Sequence, residues 1–312
     1  MTAIERTWRP SWPCPVGQVL GAARRGAGDP TYVVEGGAGR VSHWRAFRTP
    51  EGPARLQVTA RAALGEVEAR AWGPGSAWAL DALPGMLGAL DDPAGFDPRH
   101  PVLVEAHRRH AHLRIGRTGL VFEALLPAVL EQKVTGQEAF AGFRRLVRRH
   151  GERAPGEGPS LFLQPAPAVV AAVPSWEWLD LHVDPARSRT IVAAAARAAA
   201  LERIVADDPA AADRKLQSLP GVGVWTSAEV RARALGDADA VSFGDYHVAK
   251  DIGWALTGAP VDDAGLATLL EPWRPHRLRV QLLIGVAGLG KPRRGPRMGP
   301  RRHLPGQDVD RP

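Results

Sequence analysis

The sequence predicts an α+β protein, with a small antiparallel β-rich N-terminal domain ahead of an all-helical domain. Three observations carry this. Leu56, Val58 and Ala60 alternate with polar neighbours, as do Val67, Ala69 and Ala71 with Glu66, Glu68 and Arg70; period-two alternation buries one face of a sheet and wets the other. From Ser76 onward the apolar spacing turns helical. Helix starts are also written out. Asp184-Pro185 and Asp208-Pro209 are each an N-cap followed by proline at the first helical position, and Thr135 with Glu138 forms a capping box.

Taken in order, residues 41–48 and 54–62 are strand-like runs joined by the turn Thr49-Pro-Glu-Gly-Pro53. A helix-like run spans 76–90, and Asp91-Asp-Pro-Ala-Gly95 is a loop. Residues 121–131 are apolar on one face apart from Pro127. The helix opened by Thr135 turns Phe140, Phe143, Leu146 and Val147 inward and stops at Gly151. Residues 152–160 read as an exposed loop. The Asp184 and Asp208 starts lead into helices of about 15–20 and 8–10 residues. Asp262 opens another, and residues 273–289 form the last. From Lys291 six Lys/Arg fall within twelve residues, a flexible basic arm. With roughly 100–200 residues per domain, the 312 residues divide at 1–95, 96–290 and 291–312.

Forty Lys+Arg against thirty-three Asp+Glu leave a net charge of +7, which favours polyanionic partners. The single cysteine, Cys14, excludes an intramolecular disulfide, a cysteine-ligated zinc finger and an iron–sulfur cluster. The apolar run at 191–200 is broken by Arg197 and is too short for a membrane span. The start MTAIERTWRP lacks the apolar core of a signal peptide. A soluble, cytoplasmic protein is therefore expected.

The segment KLQSLPGVGVWTSAEVRAR (215–233) reads as a short helix, the turn Leu219-Pro-Gly-Val-Gly223, and a second helix from Val224. Its glycines permit close approach of an external group, and the second helix offers unpaired N–H groups to an anion. An ordinary turn between two helices is the alternative. Asp245, in VSFGDYHVAK (241–250), follows Gly244 and precedes a helix-compatible run. Alone it reads as a capping carboxylate.

The order of hairpin and aspartate resembles the helix-hairpin-helix superfamily of DNA base-excision glycosylases. Upstream, LLPAVLEQKVT (125–135) is similar to that family's helix leading into a DNA-probing loop. The β-rich start resembles the N-terminal domain of the 3-methyladenine DNA glycosylase II type, so the likeness covers most of residues 30–290. It implies a helical domain split by a cleft, with Asp245 catalytic. It also implies that Gly221, Gly223, Val224 and Thr226 grip a phosphate and that Lys250 contacts another. Gln132 and Lys133 stand where family members insert a side chain into the duplex. Lys133 departs from the leucine of some members, so Gln132 is the expected space-filler. Backbone carbonyls of Gln217, Leu219 and Val222 are implied to hold a monovalent cation, and no cofactor is required for catalysis.

Members that also cut the strand carry a lysine two residues after the second hairpin glycine. This chain has Trp225 there, which cannot form an imine but can stack on an extruded base. The implied enzyme is a monomeric, monofunctional glycosylase that removes alkylated purines, of the 3-methyladenine and 7-methylguanine class, from damaged duplex DNA. Glu229 lies on the same helical face as Trp225; it either reads the lesion's cationic or amino edge or pairs with Arg233. Tyr246 is a candidate aromatic wall or a core residue, and the branch's aromatic in the last helix is replaced near Gly285. A glycosylase for another damaged base, helped by Glu229 or His247, and a catalytically silent DNA-binding module are the rival readings. The cluster His107, His110 and His112 has no carboxylate to complete a metal site, and Arg108 and Arg109 would repel a cation.

Overall fold

A computed structural model describes residues 2–37 and 40–293. Most of the basic arm, from residue 294, lies outside the described residues. Five strands form one antiparallel sheet: β1 (Ile4–Trp8), β2 (Tyr32–Gly37), β3 (Arg40–Thr49), β4 (Gly52–Arg61) and β5 (Glu66–Trp72), in the spatial order β1-β5-β4-β3-β2. The alternation works as expected. Leu56 sits opposite Ala71 and Val58 opposite Ala69, and all four are buried. They pack with Leu80 and Leu83 of helix Ser76–Met86 and with Val16 and Leu20 of helix Val16–Gly21. Strands β1 and β2 had no sequence signal. They are the edges, and β1 is largely exposed along its length, so no alternation of burial marks it.

The opposite face of the sheet is covered too. Trp44 and Trp72 stack at 5.6 Å and pack against Ala154, Leu161 and Leu163. The 152–160 loop is thus anchored at Ala154, with Arg153 bridged to Phe162, although most of its other residues are exposed.

The helices form two packed groups. The first surrounds helix Val121–Leu130, which is buried at nine of its ten residues, Pro127 included. The one-faced pattern expected there is wrong because this helix has neighbours all round. Helices Gly136–His150, Pro185–Ala195, Pro209–Gln217 and Val224–Val230 supply much of that shell. The second group contains Pro101–Arg109, Val248–Thr257, Asp263–Leu270 and Arg277–Val286 around Leu103, Ile252, Leu266 and Val280. Two helices are shorter than the sequence suggested. The one capped by Asp184 ends at Ala195, and a separate turn, Ala198–Glu202, follows Arg197. The last helix begins at Arg277 because Pro275 cannot continue a helix, and Trp273 sits in a preceding 3-10 turn.

The written caps are made. Thr135 Oγ1 accepts the Glu138 N–H at 3.2 Å while Glu138 Oε2 accepts the Thr135 N–H at 3.0 Å. Asp184, Asp208 and Asp262 cap their helices through side-chain oxygens. One long-range pair ties the two halves together: Arg279 donates to both oxygens of Asp91 at 2.7 and 2.9 Å, and both side chains are only 2% exposed.

Two stability outcomes follow from these contacts. Thr135→Ala is expected to lower unfolding free energy by about 1 kcal/mol in urea titration, the usual worth of an N-cap. Asp91→Ala leaves the Arg279 guanidinium buried without its counter-charge and is expected to cost about 3–5 kcal/mol.

Candidate active site

The hairpin is built from helix Pro209–Gln217, the 219–223 turn and helix Val224–Val230. Leu219 and Val222 bury their side chains in the helical core, and the Val222 N–H donates to the Leu219 carbonyl at 3.0 Å. Ser227 Oγ donates to Asp213 Oδ1 at 2.6 Å and locks the two helices together. The two glycines differ. Gly221 has φ +85°, and a Cβ there would lie 1.9 Å from Thr190 Oγ1, so the fold itself demands glycine. A Cβ on Gly223 would meet nothing within 4 Å. No side chain caps the second helix, whose Ser227 N–H is bonded back to the Gly223 carbonyl. The N–H groups of Val224, Trp225 and Thr226 therefore precede that bond at a helix start open to solvent on the Gly223 side.

Asp245 stands beside this start. Its Oδ1 accepts the N–H groups of His247 and Val248 at 2.7 and 3.0 Å, at the start of helix Val248–Thr257. Its Oδ2 accepts the Trp225 indole N–H at 3.3 Å. Gly244, with φ +85°, makes the preceding turn, and its N–H is held by Asp263 at 3.0 Å. The carboxylate is thus oriented from both sides and remains only partly buried.

Other expected residues are positioned differently. Gln132 does not extend freely as a space-filler: its amide donates to the Gly221 carbonyl at 2.9 Å and to Thr226 Oγ1 at 2.8 Å. The Thr226 side chain is consequently occupied and buried, leaving its backbone as its offer at the helix start. Lys133, exposed and at φ +55°, is the side chain that this loop presents outward. Tyr246 is 74% exposed and forms no pocket wall; the Lys250 ammonium lies 3.6 Å from its ring centroid and the His247 ring packs on it edge-on. Among the described residues, no group of three His, Cys, Asp or Glu can hold a metal ion, the His107–His112 cluster included.

Behind Trp225 and Asp245 a cavity of about 220 Å³ opens where the sheet, the hairpin helix and the last helix meet. Glu229 and Arg233 line it and are paired with each other, the second of the two readings of Glu229. Ser242 Oγ donates to Glu229 Oε1 at 2.5 Å, and the Ser242 carbonyl accepts the Asp245 N–H at 3.2 Å. Arg45 of β3 pairs with Glu123 at 2.6 Å, and Arg25 with Glu131 at 3.5 Å. Burial pushes the Glu131 carboxyl up; Arg25 and Arg233 pull it back, and Glu229 and Asp245 push it up further. Burial and the nearby Arg233 lower Arg25. Sequence reasoning missed Arg25, Arg45, Glu123 and Glu131. The one legible signal was a glutamate at each end of an otherwise apolar helix.

No family model matches the chain. It is 33% identical over 177 residues, 53% of its length, to the probable bifunctional transcriptional activator/DNA repair enzyme AlkA of Mycobacterium tuberculosis, in two strains. The chain spans about a third of the length of those relatives, at 33%. Among solved structures, the 3-methyladenine DNA glycosylase of Archaeoglobus fulgidus superposes with a TM-score of 0.72 at 17% identity, covering 91% of this chain and 97% of that one. The Clostridium acetobutylicum 8-oxoguanine glycosylase/lyase, in complex with double-stranded DNA containing cytosine opposite 8-oxoguanine, superposes with a TM-score of 0.61 at 14% identity, covering 83% and 98%. Both likenesses are of fold.

Gln132→Ala removes two hydrogen bonds between the 131–134 loop and the hairpin. It is expected to cost about 1–2 kcal/mol in urea unfolding, and to raise amide exchange at the hairpin turn above that of the distant sheet.

Proposed function

We propose that this member of the helix-hairpin-helix DNA glycosylase superfamily hydrolyses the N-glycosidic bond of alkylated purines in duplex DNA. The observation that carries the reading is the Asp245 carboxylate, held by two backbone N–H groups and the Trp225 indole beside an uncapped hairpin helix. Alkylation at N3 or N7 makes a purine cationic, so it leaves as a neutral molecule without an enzyme acid. Positive charge then develops on the sugar, where an oriented carboxylate is worth most. Asp245 stabilises that charge and helps to position the attacking water.

Reaching the bond requires the nucleotide to be turned out of the stack, at a cost of a few kcal/mol that is smaller for damaged pairs. The hairpin anchors the duplex through the free N–H groups after Gly223, where open space admits a phosphate. The net charge of +7 supports a DNA partner, and Lys250 and Lys133 flank the site as further backbone contacts. Trp225 in place of an amine leaves no imine route at that position, so the product is an intact strand with an abasic site. One monomer suffices for this chemistry. A monovalent cation on the carbonyls of Gln217, Leu219 and Val222 belongs to the same reading: the anchored Leu219 and Val222 side chains fix the turn, and neutral oxygens suit a singly charged ion.

The test is base release from methylated duplex DNA by wild type and Asp245→Asn. Wild type is expected to release methylated purines, with strand breaks only after alkali, and the variant to be slower by roughly 100-fold or more. Undiminished release by Asp245→Asn overturns the role of Asp245. Intact duplex binding without release overturns the alkylpurine assignment and leaves a binding module or a glycosylase for another lesion.

A further inference from the structure

The cavity behind Asp245 has a lining that says which purine edge it accepts. A cavity of about 150 Å³ holds a benzene ring; at about 220 Å³ this one has room for a fused bicyclic ring. Its wall is continuous with the Asp245 loop, since Ser242 donates through Oγ to Glu229 and through its N–H to Gln281 Oε1 at 3.4 Å. Trp225 and Tyr246 are not among the lining residues, and Phe143 is the one aromatic ring that is. Capture between stacked aromatic faces, the arrangement that favours a cationic ring, is therefore not what the cavity offers.

What it offers is unused hydrogen-bonding capacity. Arg25 Nε, Arg233 Nε and Glu123 Oε2 are buried without a hydrogen-bond partner among the described residues, and all three side chains line the cavity. Arg25 is only 7% exposed. Buried polar groups are ordinarily satisfied, so three open valences around one cavity point to a ligand that completes them. Charge does not choose the ligand. Arg25 is paired with Glu131, Arg45 with Glu123 and Arg233 with Glu229, so no excess negative charge is left to attract a cation.

Guanidinium N–H groups donate and a carboxylate oxygen accepts. A guanine-type edge meets both demands, with a carbonyl at C6 for the arginines and N–H groups at N1 and C2 for the carboxylate. Alkylation at N7 leaves that edge intact. An adenine-type edge carries an amino donor at C6 and an unprotonated acceptor at N1, which sets donor against donor at the arginines. Resting on the glycosylase reading above, we propose that this cavity selects guanine-derived alkylation lesions over adenine-derived ones, with Arg25, Arg233 and Glu123 as the specificity-determining residues. Undamaged guanine has the same edge; its stable glycosidic bond, rather than the cavity, protects it.

The experiment uses duplex DNA methylated so that 7-methylguanine and 3-methyladenine occur in the same molecules. Release of each base by the full chain is divided by its spontaneous release. Wild type is expected to favour 7-methylguanine by about 10-fold or more, as a mismatched buried donor implies. Arg233→Lys keeps the charge beside Glu229 but loses the guanidinium fork, and is expected to bring the ratio towards one. Parity or a 3-methyladenine preference in wild type overturns the proposal, as does an unchanged ratio in a variant with a wild-type melting curve. If wild type releases neither base, the glycosylase reading has failed and the cavity is tested by itself. Free 7-methylguanine must then raise the melting temperature more than free 3-methyladenine at equal concentration. Equal shifts overturn the proposal.

Discussion

Buried charge at the junction of sheet and helices is the constraint around which this structure is arranged. An isolated ion taken out of water costs several kcal/mol, so each must meet a partner. Arg279 of the last helix meets Asp91 from the loop after the sheet domain. Arg45 of β3 meets Glu123 of the central helix, and Arg25 of the segment between the first helix and β2 meets Glu131 at that helix's end. Each of these pairs joins parts that are distant in the chain. Apolar packing brings the three units together, but it tolerates sliding. Directed charge pairs fix the angle at which they meet, and hence the width of the cavity between them.

The same polar framework continues into the site. Glu229 takes Arg233 on one oxygen and Ser242 on the other, and the Ser242 carbonyl holds the Asp245 N–H. Gln132 carries the framework across to the hairpin through Gly221 and Thr226. The hairpin, the probing loop and the aspartate are therefore linked by hydrogen bonds. A bound phosphate, an extruded base and the carboxylate would be held in one frame, which is what a reaction sensitive to the position of a single charge requires.

The division of labour between cations fits this arrangement. The chain has 36 Arg and 4 Lys. Arginine, weakly hydrated and with a planar fork of donors, is suited to the buried junction, whereas lysine is a compact and strongly hydrated charge. Two of the four lysines, Lys133 and Lys250, stand at the rim of the site, one exposed on a left-handed loop residue and one against the Tyr246 ring. Inside, cations serve order; at the rim they face solvent and a polyanion.

Much of the fold was legible in the residues themselves. The faces of β4 and β5, the caps at Thr135, Asp184, Asp208 and Asp262, the hairpin turn and the spacing from Gly223 to Asp245 all rest on interactions within a few positions of one another, and these leave periodic or local marks. The edge strands β1 and β2 left none, because a strand wet on both faces needs no alternation. Helix Val121–Leu130 was misjudged because burial all round is a property of its neighbours. At the site, Asp245 and Trp225 could be named from sequence, but not the hydrogen bond between them. Gln132 and Tyr246 were recognised as site residues and assigned the wrong surroundings. Local chemistry determined which elements form and which residues stand at the hairpin. Only the tertiary structure decided which charges meet, that Gln132 is spent on the hairpin, and that the cavity is lined by arginine and glutamate, since partners far apart in the chain carry no period and are chosen by packing alone.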